Sequence, residues 1–113
     1  ASYADPVTAR QIDLHWALSV VPELACRISF ADLQARSQPV ASLPHARALS
    51  RVDSIMHSVI HYRVHMPPAD RPAIWLYDLA LLVRDLDASG WSQLDGCVRR
   101  AGMAGLHAAT LIQ

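Results

Sequence analysis

The chain has 113 residues, enough for one domain with a core and too few for two ordinary ones. Hydrophobic residues make up 52% and charged residues 18%, which excludes a disordered tail; ten basic and ten acidic side chains leave no net charge, so the basic excess of a dedicated nucleic-acid binder is missing. No apolar run is long enough to span a bilayer and no signal peptide is visible.

All ten basic residues are Arg, and neither Lys nor Asn occurs. Both absent residues have A-rich codons, so a high-GC bacterial source is expected; selection against lysine in a protein that enters a eukaryotic cell is the alternative. With all six histidines protonated the net charge rises to +6. The chain begins at Ala1, and residues 1–113 read as a single domain excised from a longer protein.

Asp5-Pro6 reads as an N-cap followed by proline at the first helical position, and predicts a helix over residues 6–21. Ile12, Trp16 and Val20 mark its apolar face, and His15 lies on its polar stripe. Pro22 kinks or splits the pattern, which resumes over residues 22–37 with Leu24, Ile28 and Ala31 on one face. Glu23–Arg27 and Asp32–Arg36 have the acid-first i,i+4 order of surface pairs. Residues 38–43 read as a loop.

Residues 44–65 give the cleanest amphipathic helix, with Ser42 as cap and Pro67-Pro68 as its stop. Leu49, Val52, Ile55, Met56, Val59 and Ile60 share its broad apolar face. His57, His61 and His65 recur every four residues on the opposite side. A metal centre inside a bundle needs inward-facing ligands, so this row reads as a solvated face. A surface metal or haem site on the three histidines is the weaker alternative.

After a loop at residues 66–71, Asp70 caps a helix predicted over residues 72–88. Trp75, Leu79, Leu82 and Leu86 form one stripe; Ile74, Tyr77 and Leu81 form a second, read as buried within the domain, with a partner helix as the other possibility. Asp85 and Asp87 oppose the helix dipole at its C-terminal end. Ser89-Gly90 reads as a stop, Trp91 as a turn residue and Ser92 as the cap of a last helix. Gly102 is a place where that helix could end, while Gly96 and Ala108 allow close helix approach. Cys26 and Cys97 lie among apolar residues and read as buried free thiols.

These elements predict an all-α fold, an antiparallel up-down bundle of four main helices with the first kinked or split at Pro22. One tip then gathers Val40, Leu43 and Trp91, with Arg36, His45 and Arg47 beside them. Apolar side chains ringed by cations suit a peripheral contact with anionic membrane. In this arrangement the chain resembles the four-helix-bundle membrane-localisation domains of bacterial toxins and type III effectors. The resemblance implies a non-catalytic targeting module of a secreted bacterial protein, docked through that tip on phosphoinositide-type lipid or on a protein partner. No cofactor, no nucleic-acid partner and no enzymatic activity are expected, since no nucleophile–base motif, HExxH or phosphate loop is present. A secretion chaperone or adaptor is the second functional expectation.

Overall fold

A strand pair forms where the first helix was predicted. A computed structural model describes residues 2–15, 17–19, 21–64, 73–105 and 110. In it β1 (Ser2–Ala4) pairs antiparallel with β2 (Gln11–Asp13), Tyr3 opposite Ile12. Asp5 is the reason. Its carboxylate accepts hydrogen bonds from the Val7 N–H (2.9 Å) and from the Thr8 hydroxyl, and so closes a turn instead of capping a helix. The Thr8 hydrogen bond holds its pKa below the usual carboxylate value. The Asp5 N–H then donates to the Arg10 carbonyl (2.8 Å), and Ala9 takes a left-handed φ of 55°. Trp16 and Val20 lie outside the described residues.

The segment at residues 22–37 is two helices, α1 (Pro22–Ala25) and α2 (Phe30–Arg36). Ser29 restarts the helix. Its hydroxyl accepts from the Asp32 N–H (3.1 Å) and donates to the Asp32 carboxylate (2.6 Å). Residues 38–48, expected as a loop and the start of the central helix, form a second hairpin. There β3 (Gln38–Val40) pairs antiparallel with β4 (Leu43–Ala48), Gln38 opposite Ala48, with an irregularity between Pro39 and Val40. Pro39 and Pro44 are tolerated because each strand has only one strand neighbour. The central helix, α3 (Arg51–Val64), therefore starts later than expected. Ser50, not Ser42, caps it: the Ser50 hydroxyl accepts from the Asp53 N–H (3.1 Å) and donates to the Asp53 carboxylate (2.6 Å).

The inner face of α3 is as its periodicity predicts. Val52, Ile55, Met56, Val59 and Ile60 are buried. Against them pack α4 (Ala73–Arg84) and α5 (Ala88–Arg100). Leu79 of α4 is buried, and Leu82 and Leu86 lean on the same core. The second stripe of α4 is not buried: Ile74, Tyr77 and Leu81 are 57%, 60% and 37% exposed. With its Leu79 side on α3, this stripe faces solvent. The residues that precede α4, with Asp70 and the loop around Pro67, lie outside the described residues.

Asp87 is the N-cap of α5 and accepts from the Gly90 N–H at 2.7 Å. Ser89, Gly90 and Trp91 thus belong to the first turn of a helix, not to a stop and a turn. Asp85 is held by Arg84 (2.9 Å) and Arg51 (3.5 Å). The two acids that seemed to oppose a helix end serve the next helix and two ion pairs. Cys97 is buried and Cys26 is exposed, and both are free thiols.

α5 ends in a paired-hydrogen-bond cap. The Met103 N–H reaches the Val98 carbonyl (2.9 Å) and the Gly102 N–H reaches that of Arg99 (3.0 Å), with Gly102 at φ +64°. A side chain there would also strike the Arg27 guanidinium. Gly102→Ala is expected to destabilise the fold by about 1–2 kcal/mol; thermal melting of the two proteins side by side checks it.

The described chain thus holds five helices and two two-stranded hairpins, a mixed α and β structure rather than an all-α four-helix bundle. Ala108 lies outside the described residues. No helix among the described residues is long and apolar enough to cross a membrane.

Candidate functional site

Arg27, Arg36 and Arg100 come together although they are far apart in sequence. Arg27 follows α1, Arg36 ends α2 and Arg100 ends α5. All three line one cavity of about 240 Å³, with Asp32 and Cys97 also in its wall. A second cavity, of about 410 Å³, shares Arg36, Cys97 and Arg100 with the first and is also walled by Gln38, Ser50, Ser92 and Gln93. The two adjoin as one groove, with three guanidinium groups at its cationic end and amide and hydroxyl groups beside Arg36 and Arg100 at the other.

Each arginine is held differently. Arg27 donates Nε to the Glu23 carbonyl (2.8 Å) and Nη1 to the Ala101 carbonyl (3.0 Å), 74 residues away. Those bonds tie α1 to the cap of α5, and the expected Glu23–Arg27 surface pair is replaced by a backbone contact. Arg36 turns from Asp32 to Asp53, giving two parallel bonds of 3.0 and 2.7 Å. The Asp53 side chain has no solvent exposure, and its hydrogen bonds raise the Arg36 pKa. Arg100 donates Nη2 to the Cys97 sulfur at 3.2 Å and lies over Gly96, where a Cβ would come within 3.3 Å of Nη1. Gly96 therefore leaves room for this guanidinium. Arg100 is the least committed of the three: among the described residues its remaining N–H groups make no hydrogen bond.

Asp32 is the one acid in the cationic end. The Ser29 hydroxyl, and then the charges of Arg36 and Arg100, hold its pKa below the usual carboxylate value. With Arg36 paired to Asp53, two further guanidinium groups share the cavity wall with the one Asp32 carboxylate. Such forks match phosphate oxygens in geometry and charge.

The tip expected from the sequence is distributed otherwise. Val40, Leu43, His45 and Arg47 all belong to the β3–β4 hairpin, with Leu43 exposed, His45 exposed and Val40 half-buried. Arg47 reaches back to the Ser37 hydroxyl (2.7 Å). Arg36 turns inward to Asp53, and Trp91 stands exposed on the first turn of α5. The histidine row is not fully wet. His57 and His61 are half-buried, their rings 5.7 Å apart, and the His61 ring lies 4.6 Å from Trp75 of α4. His65 lies outside the described residues. Among the described residues no group of three or more His, Cys, Asp or Glu is placed to hold a metal ion.

Sequence reasoning missed Arg27, Arg100, Gln38 and Gln93. Arg27 was absorbed into an apparent surface pair, and no spacing signals that residues 27 and 100 meet. The family model described as uncharacterised nucleotidyltransferase matches residues 2–112 of the chain. No curated protein and no solved structure matches it. The family finding overturns the resemblance to membrane-localisation bundles of toxins and effectors. It also points to an enzyme, against the expected non-catalytic targeting module, and neither the adaptor nor the histidine metal or haem alternative gains support.

Proposed function

The chain belongs to the uncharacterised nucleotidyltransferase family, and from that premise we propose that its arginine-lined groove holds the polyphosphate of a nucleotide. Nucleotidyl transfer joins an acceptor oxygen to the α-phosphorus of a nucleoside triphosphate and breaks the bond to pyrophosphate. The leaving group gathers negative charge as that bond breaks. Cations fixed beforehand against it stabilise the transition state more than the ground state. Arg100 and Arg27 are such cations, with Arg36 adding its field from within the Asp53 pair. Gln38, Ser92 and Gln93 at the other end offer donors and acceptors to a sugar or base.

The single observation that carries this reading is the meeting of three arginines in one groove. Divalent metals, which serve this class of chemistry through carboxylate ligands, do not fit the described residues. Asp32 is the one carboxylate in the groove wall, it stands among guanidinium groups, and no group of three or more His, Cys, Asp or Glu gathers among the described residues.

Arg100→Gln is expected to weaken nucleoside triphosphate binding about tenfold, the worth of one charge-assisted contact, with little change in thermal stability. Calorimetric titration of both proteins with ATP checks it. Equal affinities would remove the groove from the reaction.

A further inference from the structure

A third cavity lies on another side of α2. The face of α2 that carries Asp32 and Arg36 borders the groove; Phe30 and Gln34 border a separate space of about 430 Å³. That volume falls within the range of small-molecule sites, about 300–1,000 Å³. The other walls come from Leu18, from Arg47 and Leu49 around the end of β4, and from His57 of α3. Most of the wall is apolar carbon.

Three features define what fits. Phe30 is a large aromatic side chain, 61% exposed at the cavity, a position it occupies without core packing to justify it. A planar ligand can stack on it. None of the described lining residues is acidic, while Arg47 supplies a permanent positive charge. Arg47 spends Nε and Nη2 on Ser37 and keeps Nη1 without a partner among the described residues. Gln34 adds an amide at the wall.

We infer that this cavity is a second binding site, for a small organic anion with a planar apolar body. The body lies against Phe30, Leu18 and Leu49, and the carboxylate or sulfonate meets Arg47. The site goes beyond the nucleotide groove and shares no lining residue with its cationic end.

Two dyes of one skeleton test it: 1-anilinonaphthalene-8-sulfonate, and N-phenyl-1-naphthylamine, which lacks the sulfonate. Fluorescence titration of the intact chain is expected to show saturable binding of the sulfonate at one site. Arg47→Gln should weaken the sulfonate about tenfold and leave the neutral dye unchanged. Phe30→Ala should weaken both, and neither side chain is buried, so both variants should melt as the parent does. Tyr77→Ser, on the exposed row of α4, should change neither dye. Enhancement without saturation would overturn the assignment, as would equal sulfonate affinity in Arg47→Gln. Loss of binding in Tyr77→Ser would place the dye on α4 and also overturn it. Displacement of the dye by ATP would merge the two sites and refute their separation.

Discussion

Arg36→Ala is expected to lower folding stability by about 3 kcal/mol, because it leaves the Asp53 carboxylate in the interior without its countercharge. The Asp53 side chain has no solvent exposure, whereas that of Arg36 is 37% exposed. The asymmetry makes removal of the arginine the harsher change. An orphaned guanidinium can turn to water, but an orphaned carboxylate at the start of α3 cannot. The Ser50 hydroxyl (2.6 Å) remains with it and keeps the loss below the upper end of such measurements. A double-mutant cycle separates the pair from its surroundings. Arg36→Ala with Asp53→Ala should cost clearly less than the sum of the two single changes. Strict additivity in urea unfolding would mean that the two side chains do not act as a pair.

Ile55→Ala should cost about 3–5 kcal/mol, from the lost burial of its side chain together with the cavity left behind. Ile55 has no solvent exposure and sits among Met56, Val59 and Ile60, each at most 1% exposed. A helix flanked by two others cannot collapse easily onto a missing side chain. At about 4 °C per kcal/mol for a chain of this size, the melting temperature should fall by more than 10 °C. Ile55→Val removes one methylene and should cost only about 1 kcal/mol. A flat response across this series would show that α3 is not the centre of the core.

That centre was legible because α3 runs for 14 residues, long enough for an apolar face to repeat several times. The inward stripe of α4 was legible for the same reason. The hairpins were not. Each of β1, β2 and β3 has three residues, too few for alternation to show, and a strand of that length exists only through its partner. Asp5-Pro6 looks the same at the head of a helix or a turn; the choice falls to Val7 and Thr8, which both bond back to Asp5. Ser50 and Asp53 spell a helix start as clearly as Ser42 and Pro44 do, and the hairpin ending at Ala48 decides between them. The wrong start carried His45 and Arg47 onto a helix, whereas both stand on β4. The groove was hidden for a related reason. Arg27 and Arg36 stand four residues after acids, yet Arg27 bonds the backbone carbonyls of Glu23 and Ala101, and Arg36 bonds a carboxylate in α3.

The uncovered row on α4 has a colloidal consequence. Ile74, Tyr77 and Leu81 present neighbouring apolar side chains to water on a molecule with no net charge near neutrality. Such a surface has neither polar cover nor long-range repulsion to keep copies apart. Concentrated solutions are therefore predisposed to reversible self-association near neutral pH.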